Sequence, residues 1–161
     1  MSDFDLVIKG GTVATAADVF AAEVGIKDGR IAVLGENLSG EREIDAAGKY
    51  VLPGGIDSHV HLDQPKKGNV LMADDFRSGT RSAAIGGNTT ILPFACQFRG
   101  ESLRAVVEDY HARAEGKAVI DYAFHLIVSD ASDPVMGQEL PALIEDGYTS
   151  FKIYMTYPDL R

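Results

Sequence analysis

The stretch Pro53-Gly54-Gly55-Ile56-Asp57-Ser58-His59-Val60-His61 contains the pattern that decides the fold. Its short apolar part runs into polar residues, which is typical of a buried strand that leads into a functional loop. On a strand, residues i and i+2 point to the same face, about 6–7 Å apart. His59 and His61 can therefore bind one metal ion together. A His-x-His pair alone also fits two histidines without a ligand, but the surrounding pattern favours the metal.

Three further strand candidates follow this stretch, at residues 88–95, 119–128 and 149–156. A helix pattern separates each strand candidate from the next, so the order is β-α-β-α-β-α-β. Buried strands that alternate with helices predict a parallel sheet covered by helices. The pattern leaves open a (β/α)₈ barrel and a doubly wound sheet. A barrel needs eight strands and typically about 250 residues, so on that interpretation the sequence is the front part of a longer enzyme.

Each helix pattern has a capping residue at its start and a glycine at its end. The predicted bounds are Asp74 or Asp75 to Gly86-Gly87, Ser102 to Gly116, and Asp133-Pro134 to Gly147. The second helix has residues at helical spacing that predict a buried apolar face. These are Leu103, Val106, Val107, Tyr110 and Ala114.

The chain before this region reads as short strands of a small antiparallel sheet or sandwich. Asp28-Gly29 lies between two β-prone runs, which is the strongest short signal for a hairpin. Residues 43–45 are a further edge-strand candidate. We therefore expect two domains, with residues 1–52 as part of a β-sandwich and residues 53–161 as the first half of a barrel.

The composition is that of an ordinary soluble protein, with 45 % hydrophobic and 24 % charged residues in 161. The formal net charge of −9 argues against nucleic acid and anionic membrane surfaces as partners. No apolar run is long enough to cross a bilayer, and the N-terminus has no secretory signal. Cys96 is the single cysteine, so no internal disulfide is possible. We expect a cytoplasmic protein.

Lys152 is the second candidate for chemistry, because it lies in the middle of the fourth strand candidate. A lysine on a strand buried on both faces is unfavourable unless it is paired or chemically altered. A lysine that extends its ammonium to the strand end also fits the pattern. An ammonium cannot bind a metal, but burial lowers the lysine pKa and frees an amine. That amine can add CO₂ and become a carbamate with one oxygen for each of two metals.

Four segments together resemble the dihydropyrimidinase/D-hydantoinase branch of the cyclic amidohydrolases, in order and at matching spacing over essentially the whole chain. They are Pro53-Gly54-Gly55-Ile56-Asp57-Ser58-His59-Val60-His61, Asp74-Asp75-Phe76, Gly86-Gly87-Asn88-Thr89-Thr90 and Ser150-Phe151-Lys152-Ile153-Tyr154-Met155-Thr156-Tyr157. The joint pattern is highly specific, although its separate parts are not.

The resemblance implies a β-sandwich around a (β/α)₈ barrel that holds two divalent metal ions, with zinc expected. It implies that His59 and His61 bind the more buried ion and that Lys152 is the bridging carbamate. The Tyr157 hydroxyl would bind the substrate carbonyl as it becomes an oxyanion. The family also uses two further histidines and an aspartate from later strands, which lie outside these 161 residues. Family members are usually homotetramers.

The implied reaction opens a small cyclic amide, a dihydropyrimidine or a 5-substituted hydantoin, to an N-carbamoyl amino acid. A hydroxide that bridges the two metals would attack the ring carbonyl. Allantoinase and dihydroorotase are enzymatic alternatives. Dihydroorotase-like sequences commonly have an arginine where this chain has Asp63, which disfavours that alternative. A non-catalytic scaffold or an inactive fragment is the other alternative, but such relatives lack the histidine and lysine set that this chain keeps.

Four other residues have less specific expectations. Asp57 either orients an imidazole as an outer partner of the metal site or satisfies the backbone at the strand end. His111 is expected at the surface of the second helix. His125 is expected to be a satisfied core histidine of the third strand, and Cys96 a small buried apolar residue.

Overall fold

The computed structural model describes residues 3–65 and 71–156. The chain divides into two compact units, Met1–Pro53 and Gly54–Arg161. The sequence predicts the boundary one residue earlier, after residue 52. No helix among the described residues is long and apolar enough to cross a membrane.

The described residues of the first unit, from residue 3 onward, form seven strands in two sheets. One sheet has the order β5-β4-β1-β6 and the other β3-β2-β7. The strands are β1 (Phe4–Lys9), β2 (Thr12–Ala14), β3 (Val19–Ala21), β4 (Glu23–Lys27), β5 (Arg30–Gly35), β6 (Gly40–Asp45) and β7 (Tyr50–Val51). The predicted hairpin is present, because β4 and β5 pair antiparallel around Asp28 and Gly29. Both turn residues have positive φ angles, 51° and 71°, as a type I′ turn requires.

Two strand pairs of this unit are parallel, whereas the sequence predicts a small antiparallel sheet or sandwich. β1 pairs with β6 in parallel, and β2 pairs with β7 in parallel. Each of these pairs joins strands that are far apart in the chain, so no local turn signal in the sequence indicates the pairing. The buried apolar residues of the unit are Val7, Val13, Val24 and Ala46.

The second unit contains a parallel sheet whose strands follow chain order. The strands are β8 (Gly55–Val60), β9 (Asn88–Cys96), β10 (Asp121–Tyr122), β11 (His125–Ile127) and β12 (Phe151–Lys152). β8 lies along one side of β9, β10 and β11 along the other, and β12 beyond β11. The third predicted strand is thus two short segments. A doubly wound sheet reverses its strand order at a switch point, so this sequential order identifies the barrel architecture.

The helices between these strands have the predicted bounds. α1 (Phe76–Ile85) is capped by Asp75, whose side chain accepts from the Ser78 backbone N–H. α2 (Leu103–Ala114) is capped by Ser102, and all five residues of its predicted apolar face are buried. These side chains form one core with residues from the helix-facing side of the sheet, including Ile91, Ala95, Phe124 and Leu126.

The third helix begins with a π-helical turn (Val135–Glu139) that continues into α3 (Leu140–Glu145). Pro141 explains the widened turn. It has no backbone N–H, and its ring would clash with the carbonyl four residues earlier in a regular α-helix. The Leu140 N–H instead donates to the Val135 carbonyl, five residues back.

Gly54 and Gly55 allow β8 to approach β9 closely. A Cβ atom at Gly54 would lie 2.2 Å from Thr89 Cγ2 and 2.8 Å from Thr89 Cβ. A Cβ atom at Gly55 would lie 2.3 Å from Asn88 Oδ1. The close packing of β8 against β9 therefore explains why glycine occupies both positions.

Gln97 connects the loops that follow β9 and β11, and its side chain is fully buried. Its Oε1 accepts from the backbone N–H groups of Ser129 and Asp130, both at 3.1 Å. Its Nε2 donates to the Glu101 carbonyl at 2.8 Å. The side chain thus satisfies three backbone groups at the carboxyl edge of the sheet.

We expect Gly54→Ala to lower the free energy of unfolding by about 1–3 kcal/mol, because the new methyl group overlaps Thr89. Gly137→Ala is the matched control, since a Cβ atom there meets open space. Within the helix it should stabilise the protein by about 0.5–1 kcal/mol. Urea denaturation measures both values. The same change in the free energy of unfolding for Gly54→Ala and Gly137→Ala would contradict the close approach of β8 and β9.

We expect Gln97→Met to lower the free energy of unfolding by at least about 2 kcal/mol, because it leaves buried N–H and carbonyl groups without a partner. Gln138 is exposed, so Gln138→Met should change stability by no more than about 0.5 kcal/mol. Urea denaturation of the two variants tests the difference. Similar midpoints for both variants would show that Gln97 does not hold the two loops.

Candidate metal centre

His59 and His61 lie where β8 ends, and the strand is irregular at this point. Asp57 pairs with Ile91 and Val60 pairs with Pro93, so Ser58 and His59 together oppose a single residue of β9. Such a bulge re-aims side chains, and bulges are common beside active sites. The imidazole centroids of His59 and His61 are 5.4 Å apart, with the planes at 59°. The predicted shared face is therefore present.

The Phe94 ring on β9 contacts both imidazoles of the candidate centre. Only 5 % of Phe94 is exposed. The His59 ring contacts it edge-on at 4.7 Å between centroids. The His61 ring stacks on it at 4.9 Å, with an angle of 21° between the planes. Sequence reasoning missed this residue. Alternation along β9 could have found it, because Phe94 lies on the face opposite to Ile91 and Ala95, which pack under the helices.

Lys152 reaches the same aromatic ring from β12. Its Nζ lies 4.3 Å from the Phe94 centroid and 5.3 Å from the Tyr154 centroid. Both distances are those of cation–π contacts, which stabilise an ammonium in a partly desolvated place. The structure thus brings His59, His61 and Lys152 together around Phe94, although they lie at the ends of β8 and β12, on opposite sides of β9.

The electrostatics of the cluster favour a neutral imidazole at His61. Burial lowers the pKa of His61, and the positive charge of Lys152 and the neighbouring His59 lower it further. A hydrogen bond between the His61 ring and the Gln64 side chain acts in the opposite direction and raises the same pKa. A neutral imidazole has a free lone pair, which is the form that binds metal ions. Gln64 is a second residue that sequence reasoning did not assign.

The described part of the chain contains no group of three or more histidines, cysteines, aspartates or glutamates placed to hold a metal ion. His59, His61 and Lys152 would thus supply only part of the ligands of a metal ion. An ion with tetrahedral or higher coordination would need further donors.

The structure places Asp57 on the backbone of β8 rather than on an imidazole. Its Oδ1 accepts from the His59 backbone N–H at 3.0 Å. The bulge explains this contact, because it interrupts the alternation that would put Asp57, His59 and His61 on one face. This geometry corresponds to the second expectation for Asp57, that it satisfies the backbone at the strand end. Tyr157 lies outside the described residues.

The other two histidines have partners of their own. His111 is half-buried and not a surface residue, which corrects the sequence-based expectation. Its Nε2 lies 2.6 Å from the Tyr148 hydroxyl, and its ring packs against Phe124 at 5.0 Å. The helical pattern places His111 on α2 but does not show that α3 and the loop after it cover that side. His125 is satisfied, as predicted, with both ring nitrogens in hydrogen bonds.

The loop after His61 is attached to α2 through Arg113. The Arg113 guanidinium donates to the Asp63 carbonyl at 2.9 Å and lies 3.8 Å from the Asp63 carboxylate. A second nitrogen of the same guanidinium bonds Asp109 at 2.7 Å. Asp63 also has a positive φ angle of 47°, which marks the sharp turn after the histidine pair. The Asp63 carboxylate thus forms an ion pair with Arg113 within the fold.

Comparisons with known proteins agree with this architecture. A model of the amidohydrolase family matches residues 42–116. The D-hydantoinase of Geobacillus stearothermophilus is 53 % identical over 157 residues, which are 96 % of this chain and 33 % of that protein.

Solved structures give the same result. One D-hydantoinase structure matches with a TM-score of 0.93 at 46 % identity, over 98 % of this chain and 34 % of that one. The dihydropyrimidinase of Brevibacillus agri matches with a TM-score of 0.89 at 44 % identity, over 96 % of this chain and 34 % of that one. The chain spans about a third of the length of the relatives it matches. Over nearly its whole length the chain is similar to D-hydantoinases and to a dihydropyrimidinase.

Proposed function

We propose that His59, His61 and Lys152 supply part of a two-metal centre that hydrolyses a cyclic amide. The convergence of these three side chains on Phe94 carries the proposal. The donor set fits divalent ions of the zinc type, because such ions accept imidazole nitrogen and carboxylate-like oxygen together. The lowered pKa of His61 also fits, since a ligand must be unprotonated.

Lys152 takes part as a carbamate and not as an ammonium. Its ammonium first loses a proton to give the neutral amine. The amine nitrogen then forms a bond with the carbon of CO₂, and a second proton leaves to solvent. The resulting carbamate has a negative charge and two oxygens. This change reverses the sign of the charge beside His61 and supplies oxygen ligands that the described cluster otherwise lacks.

The substrate is a dihydropyrimidine or a 5-substituted hydantoin, and the product is an N-carbamoyl amino acid. The names of the matched relatives, D-hydantoinase and dihydropyrimidinase, support this class. When bound, a pair of divalent ions supplies an activated water and polarises the ring carbonyl. Tyr157 would donate its hydroxyl hydrogen to that carbonyl oxygen as charge develops there. By family resemblance, two histidines and an aspartate from outside this sequence complete the centre.

By the same resemblance, we propose zinc as the metal, a homotetramer as the assembly and the cytoplasm as the location. The single cysteine is in keeping with a reducing compartment.

We expect His59→Asn and His61→Asn each to weaken Zn²⁺ binding by more than the about 10–100-fold that loss of an outer partner of a metal ligand causes. His111→Asn is the matched control, because His111 lies on α2 and bonds Tyr148. Zinc content after dialysis and calorimetric titration measure the effect. Hydrolysis of dihydrouracil and hydantoin by the metal-loaded protein tests the activity.

Zinc retained in both variants, or lost equally in the His111 control, would exclude a metal centre at His59 and His61. If a zinc-loaded protein that also carries the two further histidines and the aspartate hydrolyses neither ring, that result would favour the non-catalytic alternative.

We expect the protein to form a carbamate at Lys152 when it is equilibrated with ¹³C-bicarbonate and Zn²⁺. Carbon NMR should show one protein-bound carbamate signal that is absent in Lys152→Met. Lys117→Met is the control, because Lys117 is an exposed lysine. A signal that persists in Lys152→Met would assign the carbamate to another amine.

A further inference from the structure

We propose that His125 is a positioning residue that holds the two strand ends bearing the candidate ligands at a fixed separation. Its Nε2 lies 2.8 Å from the Ser58 carbonyl oxygen, and Ser58 directly precedes His59. Its Nδ1 bonds the Ser150 hydroxyl, and Ser150 lies two residues before Lys152. One imidazole thus connects the histidine strand to the lysine strand. The consequence for metal binding rests on the function proposed above.

The Ser58 carbonyl determines the direction of one hydrogen bond, and for a neutral ring this also determines the direction of the other. A backbone carbonyl can only accept, so Nε2 of His125 must hold a hydrogen and donate it to Ser58. In the neutral ring Nδ1 is then an acceptor, and the Ser150 hydroxyl donates to it. Both ring nitrogens are therefore occupied, which excludes His125 as a metal ligand in this arrangement and separates its role from that of His59 and His61.

The end of β8 needs such a connection because its own sheet pairing is interrupted there. Ser58 and His59 fall within the bulge, between the paired residues Asp57 and Val60. The residue of β9 that pairs with Val60 is Pro93, which has no backbone N–H to donate. The bond from His125 therefore reaches a part of β8 where the regular ladder is interrupted.

The other end of the connection is firmly held. The Leu126 N–H donates to the Ser150 carbonyl at 3.1 Å, and the Val128 N–H donates to the Lys152 carbonyl at 3.0 Å. The His125 ring also packs against Phe94 at 5.0 Å between centroids. His125 therefore projects from a rigid part of the sheet, and the strand end that it can restrain is that of His59.

Three substitutions separate the two hydrogen bonds of His125. His125→Phe keeps a ring against Phe94 and removes both bonds. His125→Asn places an amide near the position of Nδ1 and cannot reach Ser58. His125→Gln places an amide N–H near the position of Nε2 and can still donate to the Ser58 carbonyl. His111→Phe is the matched control, because it removes the hydrogen bond of another half-buried histidine.

Hydrogen–deuterium exchange of the metal-free protein tests the positioning itself. We expect faster exchange of the backbone amides at residues 58–61 in His125→Phe and His125→Asn, with wild-type rates restored in His125→Gln. Nitrogen NMR of the wild-type protein should show the Nε2–H tautomer of His125. Unchanged exchange in the Phe and Asn variants, or the Nδ1–H tautomer, would overturn the proposal. If His125→Phe fails to fold, the comparison of Asn with Gln decides.

Zinc titration of the same variants tests the consequence. We expect His125→Phe and His125→Asn to weaken Zn²⁺ binding by about 10–100-fold, as the loss of an outer partner does, and His125→Gln to recover most of it. Unchanged zinc affinity in the Phe variant, with zinc lost in His59→Asn, would overturn the role of His125 and leave the proposed function standing. A wild-type protein that binds no zinc would overturn the proposed function, and the exchange rates would still decide the positioning.

Discussion

The parallel pairing of β9 with strands on both sides is the constraint on which the candidate centre depends. Parallel strands bring their carboxyl ends to one edge of a sheet, so residues from β8, β11 and β12 meet there although they are far apart in the chain. β9 supplies Phe94 at the middle of that edge. The close approach that Gly54 permits and the loop connection through Gln97 both act on this pairing. A change in the register of β9 would therefore move every group of the site.

The order of strands and helices could be predicted from the sequence because its signals are local. Asp75 and Ser102 cap helices through contacts with residues at most three positions away. The apolar face of α2 follows from a period of 3.6 residues. The strands β2, β3 and β7 were not predicted, since each has at most three residues. Their stability depends on partners distant in the chain, as does that of other short strands.

The candidate site could be predicted only in part, for the same reason. His59, His61 and Lys152 stand out because of residue type and of their places at strand ends. The bulge at Ser58 has no periodic signature, and it decides that Asp57 bonds to the backbone. The partners of His125 also lie outside local reach, because Ser58 is 67 residues away in the chain. Pattern analysis shows which groups can act, whereas the packing of Phe94 determines which of them meet.

The positive charges that can meet around Phe94 repel one another. Two imidazoles and an ammonium are like-charged when protonated. Burial lowers the pKa of His61, and repulsion from Lys152 and His59 lowers it further. A neutral His61 is already in the form that binds a metal. Conversion of Lys152 to a carbamate would replace a positive charge by a negative one beside the same imidazole. Charge repulsion therefore acts on His61 in the same direction as burial, and in the proposed centre it would also favour carboxylation of Lys152.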